Sequence, residues 1–341
     1  MKGVLECSYL AGQWISKKLG LRRRKKLPAR VISIGNLSAG GTGKTPATVA
    51  LALELAAKPG FRPAVLTRGY KGKLAGPVII RPGMSAIDAG DEPLLMLRQF
   101  HAAGANIPVI KNSDRYWGGL YALAALEPRP NVFVLDDGFQ HWRLHRDLDI
   151  LLLSSTDPFY NDKCLPVGRL RETPRAISRA DMILVTKCRE VSNCMLDGIR
   201  KWNRRARVFP AWYEATGITN VETGEEYPAG WLQGRDVFAF CAIGEPNSFK
   251  STLLEAGANI AGFVRFGDHH RFSARDVRRL ERKIKRKGRK KSPEGLWIVT
   301  TEKDIMRLGR GGVPGIRNLC VLKVALQTEA GFYEELKNVL R

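Results

Sequence analysis

The sequence predicts an α/β fold: a mostly parallel sheet covered by helices on both faces, with a second, smaller α/β domain joined to it by a β linker. Three observations carry that prediction. A β-branched run, "RVISIGN" (30–36), leads into the glycine-rich "GNLSAGGTGKTP" (35–46) and then into the apolar helical "PATVALALELAAK" (46–58), giving the order strand, loop, helix. Near-continuous apolar runs then alternate with helical stretches, as they do where strands are buried on both faces. At "AWYEATGITNVETGEEYPAG" (211–230) the pattern turns polar, alternating and rich in turn residues, and a second alternation of strands and helices begins after it.

Taken in order, residues 1–26 are a segment of their own. Wound on a helix, "MKGVLECSYLAGQWISKKLG" puts Val4, Leu10, Ala11, Trp14, Ile15 and Leu19 on one broad face and Lys2, Glu6, Gln13 and Lys17 opposite, and the basic "RRRKK" (22–26) follows at once. Such a segment suits either the headgroup plane of an anionic leaflet or an ordinary first helix packed on its own domain. Residues 27–213 are the expected core domain. There "PAVLTRG", "PVII", "IPVIK", "NVFVLDDG", "LDILLLS" and "DMILVTK" read as strands, and "DEPLLMLRQFHAAG" and "RYWGGLYALAALE" as helices. Residues 214–230 are the expected linker. In 231–341, "DVFAFCAI", "IAGFVRF", "LWIVTTEKD" and "LCVLKVAL" supply strands, while "SFKSTLLEAG" and "ARDVRRLERKIKRKGRKK" supply helices. The last helix, "GFYEELKNVLR" (331–341), belongs either here or back on the core domain.

A formal charge of +23 and a pI near 10.1 imply a polyanionic partner, whether nucleic acid, an acidic membrane face or a phosphorylated ligand. The six cysteines form no C-x-x-C pair, which argues against a zinc site or a disulfide framework and for a reducing setting. No run of roughly 18 apolar residues is present to cross a bilayer, and the N-terminus is too polar for a secretory signal.

The glycine loop departs from G-x-x-x-x-G-K-[ST] at one position: counting back from Gly43-Lys44-Thr45, Ser38 stands where the first glycine belongs. Ser38, Ala39, Gly40, Gly41, Thr42 and Gly43 are expected to curl main-chain N–H groups round phosphate oxygens, with Gly40 and Gly41 relocating the turn that Ser38 gives up. Lys44 would reach the β- and γ-phosphates of a nucleotide, and the Thr45 hydroxyl would hold Mg²⁺. "NVFVLDDGFQH" brings Asp136 and Asp137 to a strand end, where a metal-binding carboxylate belongs; a solvated turn is the plain alternative. "LVTK" (184–187) ends another strand, where it could lie against a base. "GDEP" sets Asp91 and Glu92 ahead of a helix, which capping alone would explain. "FGDHHRF" sets Asp268 beside His269 and His270, which a surface loop would also explain.

In this order, "GNLSAGGTGKTP", "LTRGYKG", "GDEP", "SDRYWGG", "LDDGFQH", "LPVGRLRE", "GEPNSF", "FGDHHRFS" and "TTEKD" resemble the tetraacyldisaccharide 4'-kinase family, the lipid A 4'-kinases of Gram-negative bacteria. The matching segments run from Arg30 to Asp304, and "DDGFQH" and the serine-bearing loop are the specific ones. The resemblance implies a P-loop NTPase-type core, ATP and Mg²⁺ as cofactors, and transfer of the γ-phosphate to the 4'-hydroxyl of a tetraacylated glucosamine disaccharide 1-phosphate. It also implies two α/β domains with the nucleotide in the cleft between them. The enzyme would sit peripherally on the cytoplasmic face of the inner membrane, with no span. The implied partners are the anionic glycolipid and an anionic membrane surface, and no nucleic acid is expected. By the same resemblance Asp91 takes the sugar hydroxyl proton with His269, preferred to His270, as its partner; Lys44 is catalytic; Asp136 and Asp137 serve the Mg²⁺ site; Tyr70, Arg115, Gln140, Arg171 and Glu172 line the cleft.

The residues alone leave other classes open. A nucleotide-driven switch or metallochaperone would share the phosphate loop, and a nucleic-acid ATPase would share the charge, though no aromatic-rich binding strand is present for it. The basic run Arg278 to Lys291 is either a second membrane contact or a solvated helix face.

Overall fold

The computed structural model describes residues 2–70, 72–157, 159, 162–268, 270–288, 296–308 and 318–340. The chain divides into two compact units, one formed by Met1–Trp212 with Leu326–Arg341 and the other by Tyr213–Ala325. Two long strands, β8 (Arg207–Asn220) and β13 (Leu319–Thr328), carry the chain out of the first unit and back into it.

The first unit is built on β1 (Arg30–Asn36), β2 (Pro63–Thr67), β3 (Val78–Ile79), β4 (Val109–Lys111), β5 (Val132–Asp136), β6 (Leu148–Ser154), β7 (Met182–Thr186) and the start of β8. Their order is β3-β4-β2-β5-β1-β6-β7-β8, parallel except for β3. Every residue of β2, β5, β6 and β7 is buried, which is why these segments read as unbroken apolar runs. The helices of this unit are α1 (Lys2–Arg22), α2 (Lys44–Ala56), α3 (Ala86–Ala89), α4 (Asp91–Ala102), α5 (Arg115–Ala125), α6 (Asn193–Arg200) and α10 (Ala330–Leu340). One core lies under α5, where Leu27, Leu66, Ile110, Phe133 and Leu135 meet; another lies beyond β6 and β7, where Leu151, Leu153, Ile177, Ile183 and Ile199 meet. With β1 between β5 and β6, the carboxyl ends of the central strands open on one edge of the sheet, the place where parallel α/β sheets hold ligands.

α1 is packed the opposite way round from a helix of a water-soluble protein. Glu6, Tyr9, Leu10, Gln13, Lys17 and Gly20 follow one another at helical spacing and face the protein. Leu5, Trp14, Ile15, Leu19 and Leu21 are exposed, Trp14 by 59%. Of the apolar face expected from the sequence, Ala11, Trp14, Ile15 and Leu19 are turned outward while Leu10 joins Tyr9 against the core; the side chain of Val4 lies outside the described ones. Gly20 lets the helix approach closely: a Cβ there would lie 2.5 Å from Trp142 Cβ.

The second unit contains the rest of β8, β9 (Glu226–Pro228), β10 (Asp236–Cys241), β11 (Asn259–Arg265), β12 (Trp297–Thr301) and most of β13, with α7 (Pro246–Glu255), α8 (Ala274–Gly288) and α9 (Glu302–Leu308). β11, β10, β12 and β13 run parallel in that order, and β9 turns back antiparallel on β8. In α8, Leu280 is fully buried among Phe238, Phe240 and Ile298, with Val277 and Ile284 beside it. The described part of the basic run thus belongs to a helix whose apolar face is already occupied; residues 289–291 of that run lie outside the described residues.

Candidate functional site

The glycine loop joins β1 to α2, and its turns fall at Gly40 (φ +129°) and Gly43 (φ +91°). Neither Ser38 nor Gly41 has a positive φ among the described residues, so Gly40 alone takes over the turn that the missing first glycine would have made. Ser38 instead forms a bridge with Leu170, and Ala39 N donates to Arg169 O at 2.7 Å. The loop is braced from within by Asn36, whose Nδ2 donates to Ser38 O (2.6 Å) and Thr42 Oγ1 (2.7 Å). From β7, Thr186 Oγ1 donates to Thr42 O at 3.2 Å, which sets the "LVTK" strand end against the loop. α2 begins at Lys44, so Lys44 and the buried Thr45 occupy its first turn, where free N–H groups and the positive end of the helix favour anions.

β5, next to β1, ends at Asp136, and the two carboxylates that follow one another there are held differently. Asp136 is buried, with Oδ1 accepting from Thr48 Oγ1 of α2 (3.3 Å) and Oδ2 from Thr67 Oγ1 of β2 (3.0 Å). Burial, then the charges of Glu92 and Asp137, push its carboxyl up to about 6. Asp137 adopts φ +51°, and Arg171 Nη1 donates to both of its oxygens at 2.8 and 2.9 Å while Lys44 Nζ lies 3.8 Å away. Burial alone would raise Asp137, but Lys44 and Arg171 outweigh it and hold the carboxyl below its ordinary range. Arg115, buried at the start of α5, is drawn down to about 10 by its burial against the opposing pull of Asp137 and Asp136. His141 is kept neutral, pushed down to about 3 by burial and then by the Arg115 charge.

Of the remaining expected residues, Gln140 and Glu172 come together. Gln140 Nε2 donates to Asn36 O (2.9 Å) and Glu172 Oε1 (3.0 Å), and Arg179 clamps Glu172 with two bonds of 2.9 Å. Tyr70 is exposed on the loop after β2, and Asp91 and Glu92 open α4. The main chain of that corner is pinned by Lys111, whose stem fills the space beside Gly69 and Gly72 and whose Nζ donates to Asp88 O at 2.8 Å. His269 lies outside the described residues; His270 faces Asp276, with Nε2 and Oδ2 3.0 Å apart.

Asn36, Thr48, Thr67, Thr186, Arg179 and Lys111 were not singled out from the sequence. Asn36 sits inside the glycine motif, Thr67 inside "LTRGYKG" and Thr186 inside "LVTK", so these three carried a signal. Glu92, which the sequence presents as a helix cap, also bears with its charge on Asp136.

Among the described residues no three His, Cys, Asp or Glu side chains form a ready-made metal cage. Mg²⁺ needs none, because it takes one or two carboxylates and fills the rest of its octahedron with water and phosphate oxygens. The charges of Glu92 and Asp137 that bear on Asp136, which α2 meets through Thr48 one turn after Thr45, fit such an ion. Anion-binding main chain, a lysine and a cation-seeking carboxylate within one strand edge are what phosphoryl transfer from a nucleotide requires.

A sequence profile described as "Tetraacyldisaccharide-1-P 4'-kinase" matches residues 7–341. The tetraacyldisaccharide 4'-kinase of Geobacter metallireducens is 40% identical over 297 residues, covering 85% of this chain and 82% of that protein. That of Aquifex aeolicus is 36% identical over 327 residues, covering 94% and 90%. The crystal structure of the "apo" form of the Aquifex aeolicus enzyme in complex with ATP superimposes with a TM-score of 0.69 at 33% identity, covering 98% of each chain.

Proposed function

The chain belongs to the tetraacyldisaccharide-1-phosphate 4'-kinase family, and from that premise we propose how its residues carry out the family's chemistry. The protein is an ATP-dependent kinase of lipid A biosynthesis, moving the γ-phosphate of ATP to the 4'-hydroxyl of a tetraacylated disaccharide 1-phosphate. The observation that carries the residue assignment is the convergence of Lys44, Arg171 and Asp137 at the mouth of the glycine loop.

The loop from Ser38 to Gly43 cradles the phosphates through main-chain N–H groups, and Lys44 draws charge from the β- and γ-phosphates. Thr45, Asp136 and Asp137 would hold Mg²⁺, whose contribution is to neutralise the phosphate oxygens. Arg115 and Arg171 add cationic charge around the carboxylates, and the Glu172–Arg179 clamp keeps Gln140 against the loop. Asp91, at the start of α4, accepts the proton leaving the 4'-hydroxyl. A free carboxylate is a weak base at neutral pH, and His269 is its proposed partner because an imidazole orients the carboxylate and shares the proton. Tyr70, exposed beside this corner, is proposed to meet the sugar.

The test is transfer of label from γ-³²P-ATP with Mg²⁺ to tetraacyldisaccharide 1-phosphate, with the product identified as the 1,4'-bisphosphate. Labelling in the wild type and its loss in Asp91→Ala support the assignment; a fully active Asp91→Ala enzyme removes Asp91 from the role.

We further propose that the protein works on an anionic bilayer surface through residues 1–26. No described helix is long and apolar enough to cross a membrane. The outward Leu5, Trp14, Ile15, Leu19 and Leu21, beside a basic run, support an in-plane seat, where each Lys or Arg near the lipid contributes about 1 kcal/mol. The described part of α8 offers charge without a free apolar face, so it is assigned the smaller share. Flotation with anionic vesicles tests this: Trp14→Ser/Ile15→Ser/Leu19→Ser should release the protein, and undiminished capture would remove α1 from the account.

A further inference from the structure

We propose that α1 is also part of the nucleotide site: Glu6 and Tyr9, on its inward face, are positioning residues that hold the 162–172 loop in the shape that aims Arg171 at Asp137. The proposal rests on the assignment of the glycine loop to nucleotide binding.

The contacts form an unbroken path. Glu6 Oε1 accepts from Cys164 N at 2.8 Å, and Tyr9 Oη donates to Arg171 O at 3.3 Å while accepting from Gln13 Nε2 at 2.9 Å. Between those two points the loop folds on itself, Leu165 N and Leu170 N donating to Leu170 O and Lys163 O. Its far side is the phosphate loop: Arg169 O accepts from Ala39 N, Arg171 N donates to Leu37 O, and Ser38 pairs with Leu170. The side chain of Arg171 then reaches both oxygens of Asp137. A second contact lies further along the same helix face, where Gly20 abuts Trp142 and Lys17 Nζ stands 4.8 Å from the Trp142 ring, two residues after Gln140.

This accounts for a feature that anchoring leaves unexplained. A helix that served only to float on lipid would need a polar face toward water, yet Glu6 and Tyr9 are spent on main-chain groups of one loop and Gln13 on the Tyr9 hydroxyl. Cys164 N is a loop donor whose acceptor is a side chain 158 positions away in the sequence, and removing that acceptor leaves a partly buried N–H unpaired.

The experiment compares two readouts on the full-length chain: affinity for Mg²⁺ with a non-hydrolysable ATP analogue by calorimetry in one detergent, and capture by anionic vesicles. Glu6→Ala/Tyr9→Phe should weaken analogue binding by roughly tenfold, the loss expected from about one to two uncompensated hydrogen bonds, with vesicle capture unchanged. Glu6→Gln/Tyr9→Phe keeps the acceptor and should recover most of the affinity. Analogue affinity unchanged in the Ala/Phe variant would overturn the proposal, as would a loss that the Gln variant fails to recover. If the Ala/Phe variant does not fold, the single variant Tyr9→Phe decides, with an expected loss of about twofold to threefold and no change as the contrary result. Lys44→Ala serves as control: if it binds the analogue like wild type, the nucleotide-site assignment fails, and α1 is not at fault.

Discussion

Asp136, at the end of β5 in the first unit, and Asp304, in the first turn of α9 just after β12 in the second, are both sealed from water, and both accept threonine hydroxyls. Burial raises the carboxyl of each, and there the likeness ends. Around Asp304 the next influences, Thr301, Ala242 N and Arg307, favour the charge. Thr301 Oγ1 (2.7 Å) and Ala242 N (3.1 Å) donate to it, and Arg307 lies 3.6 Å off while its Nη1 also donates to Ala242 O at 2.9 Å. Thr301 caps α9 in return by accepting from Asp304 N, so the "TTEKD" motif reads as a reciprocal helix cap that ties the end of β10 to α9. Around Asp136 the next influences, Glu92 and Asp137, oppose the charge. A buried acid with its own cation is a strut, whereas Asp136, pressed by further acids and only partly offset by Lys44, suits the Mg²⁺ role proposed for it.

The comparison is broken or sharpened most strongly at Lys44. Removing the lysine that stands 3.8 Å from Asp137 (Lys44→Ala) should cost about a thousandfold or more in transfer rate, measured with labelled ATP, with little change in melting temperature. Next come Asp136→Asn and Asp137→Asn, each expected to lower the rate by roughly 10²- to 10³-fold in a folded protein. Asp304→Ala should do the reverse: the rate per folded molecule persists, but stripping a buried cation of its partner costs about 3 kcal/mol, or on the order of 5–10 °C in melting temperature. An Asp304→Ala protein that melts like wild type and is inactive would erase the distinction.

The smallest expected effect is the pH dependence of stability. A carboxyl raised to about 6 in the folded state opposes folding once ionised, so the strain at Asp136 is absent in acid and grows as pH rises through about 6. Asp136→Asn should therefore raise the melting temperature of the nucleotide-free protein by a few degrees at pH 8, and by progressively less as pH falls toward 4. A gap that does not vary with pH would mean that Asp136 is not strained.

Much of the strand edge was legible in the sequence because its signals are local. The apolar runs ending at Gly35, Asp137 and Lys187 foretell parallel strands, and Gly43-Lys44-Thr45 foretells the loop. What escaped is what topology assembles. Thr67 meets Asp136 only because β2 lies next to β5, and Thr186 meets Thr42 across 144 positions of sequence. No window of residues contains such a pair. The direction of α1 escaped for another reason: periodicity separates an apolar from a polar face, but it does not say which one the protein keeps. Glu6 and Gln13 read as the outer face of a helix until their partners, the donor Cys164 N and the acceptor Tyr9 Oη, are known. Ser38 showed that the turn must move, and Gly40, ahead of Gly41, proved to be where it went.

The second unit is an insertion: Tyr213–Ala325 interrupts a host that resumes at Leu326. In the host, Phe332 of α10 packs edge-on against Phe209 at 5.6 Å, Glu335 pairs with Arg207 at 2.9 Å, and Thr328 Oγ1 donates to Pro210 O. The host therefore cannot close until the chain has run through the whole guest and reached α10. Damage near residue 332 would therefore be felt at β8, in the part of the host that was made before the guest.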